Sequence, residues 1–390
     1  MKNGKFTTID LFAGAGGLTE GFRQAGFHSV AANDFDASSA NTFKLNHPKT
    51  RFIDGPVQDI SSDDLLDQSG LREGELDVLL GGPPCQAFSV YNHQRGMHDE
   101  RSGLFREYLR LVEGLMPRFV VMENVTGITS VASGRAVDEI YKNLGGLGYH
   151  VEHRVLKAEE YGVPQERRRI FFIGTRDGDS ITWPNQTHGT SDLLVKRKLK
   201  PFVNVDQAIS DLPPLLIDEG DDVAEYLSEP KCGYQKTLRQ RAKQLFNHVA
   251  PHLSGVNLER LTHIPPGGSW RDIPYELLPT GMKRAKRSDH TKRYGRLHPN
   301  GLACTILTKC DLHWGAFIHP DEKQQRTLTV REAARFQSFP DRYRFMGPRG
   351  EQFRQVGNAV PPLLGKAVAK AVSRMLKKQL TEGLEKQLVN

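Results

Sequence analysis

Asp10-Leu-Phe-Ala-Gly-Ala-Gly-Gly17 is a glycine-rich stretch between a short apolar run and an amphipathic one. The apolar run TTIDLF predicts a strand, and residues 18–25, closed by Gly26, predict the first crossover helix. Glycine lets a turn tighten and lets the backbone approach a ligand closely. The stretch therefore predicts a strand, a turn and a helix of the kind that binds nucleotide-like ligands in α/β proteins.

The glycine pattern distinguishes between classes of ligand. The dinucleotide fingerprint G-x-G-x-x-G fails because Thr19 stands where its third glycine belongs, and the Walker lysine is absent. A ligand without phosphates, such as S-adenosyl-L-methionine (AdoMet), suits the turn better. The next predicted strand ends in Asn33-Asp34, from which a carboxylate can bind both ribose hydroxyls of an adenosine. A turn that only packs a helix on a strand remains the alternative.

Short apolar runs alternate with amphipathic segments as far as residue 176. The runs predicted as strands are TTIDLF, HSVAAND, DVLLGG, RFVVMEN and RIFFIGTR. A second helix is predicted over residues 103–115, where Pro117 stops it. This alternation predicts an α/β fold with a doubly wound, Rossmann-like sheet, whose ligands bind at the carboxyl ends of the strands.

The composition changes after Trp183-Pro184. Long polar stretches with Pro-Pro and Gly-Gly breakers follow, with basic runs at residues 196–200 and 283–296. Residues 1–150 carry 14 Lys and Arg against 19 Asp and Glu, whereas residues 151–390 carry 39 against 27, a net charge of +12. Residues 185–325 therefore predict a second, smaller domain with a polyanionic partner. Regular patterning returns with a predicted helix over residues 331–337 and a final helix from Pro362.

Composition excludes several classes of protein. With 390 residues, 38% of them hydrophobic, the chain can bury a sizeable core, so it is neither disordered nor fibrous. Its four cysteines (Cys85, Cys232, Cys304 and Cys310) form no C-x-x-C pair, which argues against a disulfide framework and structural zinc. The sequence shows neither a long apolar run nor a signal-type N-terminus, so we expect a cytoplasmic protein without a membrane partner.

Cys85 follows the predicted strand DVLL within Gly81-Gly-Pro-Pro-Cys-Gln-Ala-Phe-Ser89. The two prolines restrict the backbone just before the thiol and fix its position. A lone cysteine is usually a small buried hydrophobe, but this one lies in a polar loop at the ligand edge of the sheet. It is therefore a candidate nucleophile, and the polar residues 90–103 are a candidate lid.

Two further polar blocks lie at strand ends. Glu123-Asn124 ends the strand RFVVMEN; partial burial there would raise the glutamate pKa and let it donate a proton, although it can also merely cap a turn. Gln165-Glu-Arg-Arg-Arg169 precedes the strand IFFIG. An arginine cluster is often a solvated surface, but at the ligand edge it can also bind a carbonyl oxygen or a phosphate.

These blocks occur in a recognisable order. DLFAGAGGL, GGPPCQAFS, MENV, QERRR, RTLTVREAARFQSFPD and QVGNAVPP resemble the ordered motifs of bacterial DNA (cytosine-5)-methyltransferases. The resemblance covers about residues 6–176 and 326–370. It implies a Rossmann-like AdoMet-dependent methyltransferase sheet with a target-recognition domain, no metal, and double-stranded DNA as partner. It also suggests a cognate restriction endonuclease as genetic partner, and we take a monomer as the default.

The resemblance implies roles for individual residues. Those implied to line the AdoMet site, with Phe12 against the adenine, are Phe12, Gly14, Gly16, Asp34, Asp59, Ile60, Pro84, Leu104 and Asn358. Those implied in catalysis are Cys85, Glu123, Arg167 and Arg169. We expect DNA contacts at Ser89 and, from the second basic run, at Lys283, Arg284, Lys286 and Arg287. The sequence departs from the commoner pattern at Asp34, where Glu is usual, and at Gln58, where Gly is usual.

A division of the chain and a mechanism follow from the resemblance. We expect a catalytic domain at residues 1–184, a target-recognition domain at 185–325, a hinge region at 326–354, and a segment at 355–390 that returns to the catalytic domain. Cys85 would attack carbon 6 of a flipped-out cytosine while Glu123 protonates ring nitrogen 3. Arg169 would hold the cytosine carbonyl oxygen, and Arg167 would brace Glu123 and its loop.

Three other functions remain open at this point. A tRNA cytosine methyltransferase would share these motifs, although the long basic insert favours duplex DNA. A catalytically inactive AdoMet-fold binding module would not need an intact Cys85, Glu123 and Arg169. A nicotinamide oxidoreductase is disfavoured by the failed glycine fingerprint.

Overall fold

The computed structural model describes residues 4–84, 103–178 and 180–389. The chain divides into two compact units. The first comprises residues 1–157, 168–186 and 362–390, and the second comprises residues 158–167 and 187–361. Residues 326–354, where we expect a hinge, lie in the second unit, and the final helix lies in the first. The predicted functional division of the chain stays a prediction.

The first unit is built on one mixed sheet. Its strands are β1 (Thr7–Leu11), β2 (His28–Asp34), β3 (Arg51–Asp54), β4 (Val78–Gly81), β5 (Phe119–Asn124), β6 (His150–Lys157) and β7 (Arg168–Thr175). They lie in the order β3-β2-β1-β4-β5-β7-β6. The strands from β3 to β5 are parallel, and β7 runs antiparallel to both β5 and β6.

The strand order places a topological switch between β1 and β4. The chain runs from β1 outward to β2 and β3, then returns to β4 on the other side of β1 and continues to β5. At such a switch the loops that follow the two central strands diverge and leave a crevice at their carboxyl ends. The predicted α/β, doubly wound sheet is confirmed, and the stretch from Asp10 to Gly17 lies at that switch.

Helices connect the strands of the first unit. They are α1 (Gly17–Gln24), α2 (Ala37–Asn46), α3 (Ser62–Ser69), α4 (Leu104–Leu115) and α5 (Arg135–Gly146). The helices predicted over residues 18–25 and 103–115 are thus confirmed, each within a residue of its predicted start. Apolar residues of β1, β4, β5, α4 and α5 share one buried core cluster, so the carboxyl ends of these strands rest on a packed core.

The second unit contains short elements. They are β8 (His188–Gly189), α6 (Ser191–Arg197), β9 (Lys200–Pro201), α7 (Val205–Ile209), β10 (Gly220–Ala224), α8 (Gly233–Leu238), β11 (Leu245–Val249), α9 (Gly255–Thr262), α10 (Thr280–Lys283), α11 (Val330–Phe336) and α12 (Arg349–Asn358). Strands β10 and β11 form an antiparallel pair, and β8 and β9 a parallel one. Helix α11 confirms the helix predicted over residues 331–337.

Buried ion pairs hold the centre of the second unit. Every residue of α11 is buried. Glu332 receives two hydrogen bonds from Arg326, at 2.7 and 2.8 Å, and Arg335 donates to Asp341 at 2.6 Å. Buried charges are tolerated only when they are paired in this way. The basic block RTLTVREAARFQSFPD is therefore internal to this unit.

The final helix, α13 (Pro362–Val389), packs in the first unit against α1. A Cβ atom added at Gly21 would lie 2.7 Å from both the Lys366 nitrogen and the Pro362 oxygen. Only glycine permits this approach, which fixes the helix that follows the glycine-rich turn. Among the described residues, no helix combines the length and the apolar character that crossing a lipid bilayer requires.

Candidate active site

The glycine-rich turn between β1 and α1 is fixed to the end of β2. Phe12, Gly14 and Gly16 have positive φ angles of 56°, 53° and 88°. The Ala13 amide donates to the Asn33 carbonyl at 2.9 Å, and the Gly14 amide donates to Asp34 Oδ2 at 2.7 Å. A left-handed φ costs a non-glycine residue energy, so the turn holds Phe12 in a strained conformation. Such strain is typical of functional sites.

Asp34 ends β2 with its carboxylate directed at this turn. Its Oδ1 accepts from the Asp36 amide at 2.9 Å, while Oδ2 accepts from Gly14. Burial raises the pKa of the Asp34 carboxyl, and the hydrogen bonds from Asp36 and Gly14 oppose that shift. Each carboxylate oxygen can accept more than one hydrogen bond. Asp34 can therefore hold the turn and still accept hydroxyl groups of a ligand.

Asp10 is a second carboxyl at this turn, which the sequence analysis missed. It is 1% exposed and accepts a hydrogen bond from the Thr19 hydroxyl. Burial raises the pKa of Asp10 to about 7, and the nearby Asp34 adds to that shift. The sequence signal was an acidic residue in an otherwise apolar strand. Thr19, noted above only as the residue that breaks the glycine fingerprint, is the partner of Asp10 and ties α1 to β1.

Other residues predicted for the cofactor site lie on neighbouring segments of the first unit. Asp59 ends a short 3₁₀ helix and is exposed, and the following Ile60 is buried. Arg110 of α4 donates to the Ile60 carbonyl at 2.9 Å and so fixes this segment. Leu104, the first residue of α4, and Phe12 both pack against the main core cluster.

Glu123 and Arg169 form an ion pair at the adjoining strand ends β5 and β7. Arg169 Nε lies 2.9 Å from Glu123 Oε1, and the two side chains are only 14% and 11% exposed. Burial lowers the pKa of the Arg169 guanidinium, although Glu123 opposes that shift. The structure therefore brings together two of the predicted catalytic residues, in surroundings poor in water, where their attraction is strong.

The segment that leads to Cys85 runs beside this pair. A Cβ added at Gly82 would lie 3.6 Å from Glu123 Oε2, and Asn124 Nδ2 donates to the Pro83 carbonyl at 3.1 Å. Pro84, predicted for the cofactor site, is the last residue described before Cys85. The predicted nucleophile Cys85, the DNA contact Ser89 and residues 90–102 of the predicted lid lie outside the described residues.

Arg167 belongs to the second unit and is fully buried. Its guanidinium donates to the carbonyls of Ile306, Gly357 and Ala359, at 3.0, 2.7 and 3.0 Å. These contacts hold the turn around Asn358, which ends α12 and is itself exposed. The predicted roles of Arg167 toward Glu123 and of Asn358 toward the cofactor stay predictions.

The second basic run is divided between the surface and the interior of the second unit. Lys283, Arg284, Lys286 and Arg287, the predicted DNA contacts, are all exposed. Arg296, the last residue of the run, is 1% exposed and donates to the carbonyls of Leu261, Ile264 and His319. Arg296 is therefore not available to phosphates, because its charge is used inside the fold.

Comparison with known proteins decides the family. The family model of the C-5 cytosine-specific DNA methylases matches residues 6–374. The chain belongs to this family. The Type II methyltransferase M.AgeI of Thalassovita gelatinovora is 34% identical, covering 94% of this chain and 98% of the relative. M1.HphI of Haemophilus parahaemolyticus is 35% identical, covering 95% and 87%.

Solved structures share the fold. A crystal structure described as a DNA modification methyltransferase encoded within an E. coli prophage has a TM-score of 0.74 at 26% identity, covering 96% of this chain and 100% of the other. The S. pombe Dnmt2 methyltransferase has a TM-score of 0.59 at 16% identity, covering 96% and 99%. The second likeness concerns the fold alone.

The family membership gives the site its chemistry. The chain is a C5 cytosine DNA methyltransferase of the Type II restriction-modification kind, which confirms the predicted enzyme class. A C5 methyltransferase must activate a carbon atom of an aromatic ring, which requires a nucleophile and a proton donor at the base. Glu123, Arg169 and the segment leading to Cys85 lie together at the strand ends in an arrangement suited to that task.

Proposed function

We propose that this methyltransferase transfers a methyl group from AdoMet to carbon 5 of a cytosine that is flipped out of double-stranded DNA, with Cys85 as the nucleophile. The observation that carries the proposal is the buried Glu123–Arg169 pair beside Gly82 and Pro83. Gly82 and Pro83 lie next to this carboxyl group and guanidinium, and Cys85 follows them in the sequence after Pro84. Such a set can polarise a pyrimidine ring from two sides.

The covalent step makes carbon 5 reactive. Carbon 5 of cytosine is a poor nucleophile, so the Cys85 thiolate adds to carbon 6 while Glu123 gives a proton to ring nitrogen 3. The carbon 5–carbon 6 electron pair moves to form a carbon 4–carbon 5 double bond, which makes carbon 5 an enamine carbon that can accept a methyl group. After methylation, loss of the proton from carbon 5 restores the carbon 5–carbon 6 double bond and expels the thiolate, and ring nitrogen 3 returns its proton to Glu123. The base must leave the duplex, because its ring faces are otherwise stacked.

Arg169 has two partners in this scheme. In the free protein its guanidinium is the counter-charge of Glu123. A bound cytosine would offer its carbonyl oxygen to the same guanidinium, because arginine presents several donors in a fixed fork. Sharing Arg169 with the base weakens its hold on the Glu123 carboxylate, which then holds a proton more readily. Arg169 thus links base binding to proton delivery.

The turn at the switch point fits AdoMet, which supplies the methyl group when bound. The proposed ligand residues of the first unit are Phe12, Gly14, Gly16, Asp34, Asp59, Ile60, Pro84 and Leu104. A Cβ added at Gly14 would meet nothing within 4 Å, so the backbone of the turn borders open space. Asp34 would accept the ribose hydroxyls, and Phe12 would lie against the adenine. The Asp34 carboxylate suits a ligand that carries positive charge.

The second unit carries the proposed recognition of DNA. We propose that residues 185–325 select the target sequence and that Lys283, Arg284, Lys286 and Arg287 bind phosphates. Their exposure and charge support this role. Phosphate contacts fix the position of a protein on DNA without reading its sequence, so selection would depend on other residues of the unit.

Bisulfite sequencing of plasmid DNA tests the proposal. Cells that express the wild-type chain should carry 5-methylcytosine at one recurring sequence, and cells that express Cys85→Ala should carry none. Purified Cys85→Ala should still bind target DNA within a few-fold of wild type, since the thiol forms a bond only during the reaction. DNA with 5-fluorocytosine at the target should trap the wild type covalently. An adduct with Cys85→Ala, or transfer to tRNA alone, would overturn the proposal.

A further inference from the structure

Trp314 is an exposed tryptophan in the second unit. Its side chain is 52% exposed, whereas the other two tryptophans of the chain, Trp183 and Trp270, are 7% and 3% exposed. A single exposed apolar residue is common on protein surfaces. The backbone contacts around Trp314 and the neighbouring basic run distinguish it from such a residue.

The loop that carries Trp314 is held firmly at its base. The Tyr294 amide donates to the Leu312 carbonyl at 2.7 Å, and the His313 amide donates to Asp311 Oδ1 at 2.9 Å. The His313 ring meets the buried Tyr294 ring edge-on, with centroids 5.2 Å apart and the Tyr294 hydroxyl 3.1 Å from Nδ1. The exposed indole therefore projects from a fixed backbone.

The residue after Trp314 adds to this support. Gly315 is buried, and a Cβ added there would lie 2.8 Å from the Phe317 ring. The chain is therefore buried again immediately after the indole. A tryptophan displayed on a supported loop loses little conformational entropy when it binds, since only two side-chain torsions must be fixed.

The same loop adjoins the basic run. Tyr294 follows Lys292 and Arg293 directly, and the Gly295 amide donates to the Gly315 carbonyl at 3.4 Å. The basic run thus ends beside the Trp314 loop. Lys292 is exposed there, and its ammonium lies 2.8 Å from Glu166 in a solvent-exposed ion pair. Aromatic side chains next to cationic ones are the combination that binds nucleic acids through both the bases and the phosphates.

We propose that Trp314 stacks on a base of the DNA target that becomes exposed when the cytosine leaves the duplex. This inference rests on the proposed function, because only a base-flipping enzyme opens the stack in this way. The departing cytosine leaves its neighbours and its guanine partner without a stacking contact. An inserted apolar side chain restores part of that contact, and an indole offers the largest face of any side chain.

Stacking at the opened site has a specific consequence. Phosphate contacts act on every DNA sequence, whereas the indole finds a free base face only where the cytosine has flipped. Trp314 therefore adds affinity at the target sequence and almost none elsewhere. It acts as a specificity-determining residue, although it reads no hydrogen-bonding groups of the bases.

Acrylamide quenching of tryptophan fluorescence tests this directly. Because Trp183 and Trp270 are buried, the readily quenched signal of the free protein should come from Trp314, and Trp314→Phe should remove it. Quenching is measured with two duplexes. The target duplex contains the sequence mapped by bisulfite sequencing, and the control duplex has the same base composition but lacks that sequence. The target duplex should protect Trp314, and the other should not. Equal quenching with both duplexes, or protection produced by concentrating the protein without DNA, would overturn the inference.

Affinity measurements provide the matched control. Trp314→Ala should weaken binding of the target duplex by roughly fivefold to a hundredfold, as for other base–aromatic contacts, and Trp314→Phe should retain most of the affinity. Tyr275 is 61% exposed in the same unit, but the Lys283 ammonium lies 5.3 Å from its ring centre. Tyr275→Ala should therefore affect both duplexes alike.

The two proposals fail in different ways. Absence of methylation by the wild type would overturn the proposed function and this inference with it. Methylation by the wild type, combined with a Trp314→Ala variant that loses affinity equally for both duplexes or for neither, would overturn this inference alone.

Discussion

At the scale of single residues, the site depends on carboxyl groups whose surroundings differ. Glu123 faces an arginine, Asp34 accepts two backbone amides, and Asp10 faces a hydroxyl. A cation stabilises the ionised form of a carboxyl, whereas burial with only a hydroxyl partner favours the protonated form. Three acids close to one sheet edge are thereby suited to different tasks, namely proton transfer, ligand binding and support of the turn.

Replacement of Glu123 by glutamine should affect the reaction more than binding. Glutamine keeps the shape of the side chain but lacks the acidic proton, so the single-turnover rate should fall by roughly 100-fold or more. The affinity for target DNA should change only a few-fold. Glu152, which accepts a hydrogen bond from Trp183 Nε1 at 2.8 Å, gives the control variant Glu152→Gln. A near-normal rate in Glu123→Gln would contradict the role of Glu123 as an acid.

Asp34→Ala should weaken AdoMet binding by roughly tenfold or more, because charge-assisted hydrogen bonds contribute about 1.5 to 3 kcal/mol. Titration calorimetry without DNA measures this. Asp54 is the register partner of Asp34 on β3 and pairs with Lys44 at the surface, so Asp54→Ala should leave the affinity unchanged. An Asp34→Ala variant with wild-type affinity would mean that Asp34 only holds the Gly14 turn.

Asp10 predicts a pH dependence of stability. Its pKa is about 7 in the folded protein and 3.8 without burial, so the folded state binds a proton that the unfolded state releases. The free energy of unfolding should therefore fall by about 1.4 kcal/mol per pH unit as pH rises toward 7, and stay level above it. The stabilisation that protonated Asp10 contributes is fully present only below pH 3.8, the pKa of Asp10 without burial.

Asp10→Asn isolates that contribution, because asparagine resembles the protonated acid and still accepts the Thr19 hydroxyl. Urea unfolding at pH 5.5 and pH 8 should show the wild type losing about 2 kcal/mol more than the variant. The comparison cancels other titrating groups, which the two proteins share. Parallel pH profiles would show that Asp10 is already ionised at pH 5.5 in the folded protein.

At the scale of elements, burial decides which strands the sequence reveals. The strands β1, β2, β4, β5 and β7 are largely buried and were predicted from their apolar runs. The analysis missed β3 and β6, which are the two edges of the sheet and largely exposed. An edge strand is polar because it faces water, so it lacks the apolar pattern that identifies a strand.

Part of the candidate site was also predictable, where the local sequence differs from its surroundings. Gly14 stands out because it lies in a glycine-rich block, and Glu123 stands out because it is an acid at the end of an apolar strand. Asp10 shows only as an acid in an apolar strand, and Trp314 carries no local pattern, because the importance of both depends on contacts that the local sequence does not reveal. The buried position of Arg296 was likewise invisible, because a charged residue in a basic run is normally exposed.

The contact between α1 and α13 gives a prediction at this scale. Gly21→Ala should lower the free energy of unfolding by about 1 to 3 kcal/mol, because the new methyl group meets backbone atoms that cannot rotate away. Gly145 lies in α5 with nothing within 4 Å of an added Cβ, so Gly145→Ala should instead be neutral or stabilising by up to about 1 kcal/mol. Urea unfolding measures the free energy of unfolding of both variants. Equal changes in Gly21→Ala and Gly145→Ala would contradict the close contact between α1 and α13.

At the scale of the whole molecule, the chain crosses between the two units several times. Residues 158–167 lie in the second unit although β6 and β7, on either side of them, belong to the first. Gln165 and Arg167 are consequently bound inside the second unit, whereas Arg169, two residues later, pairs with Glu123 in the first. One short block thus serves both units, which explains why a single motif carries residues of different function.

The exchange of residues 185–325 tests whether target selection belongs to the second unit. Replacement by the matching segment of a relative that methylates another sequence should move methylation to the donor's sequence. The buried pairs of the second unit cross residue 325, however. Arg335 Nη2 donates to Asp211 Oδ2 at 3.2 Å, and Arg326 Nε donates to the Leu215 carbonyl at 3.1 Å. A donor without an acid at the position of Asp211 would leave Arg335 with Asp341 as its acid, and each buried donor left without an acceptor would cost about 1 to 3 kcal/mol.

A second chimera separates folding from recognition. Exchange of residues 187–361 keeps the contacts of Arg335 with Asp211 and of Arg326 with Leu215 within one parent, so it should be more stable than the first chimera whenever the donor lacks the acid. Bisulfite sequencing of plasmids from both should reveal the donor's methylated sequence, because the residues proposed to contact DNA in the second unit, from Lys283 to Trp314, are exchanged in each case. An active chimera of either kind that still methylates the original sequence would place recognition outside the second unit.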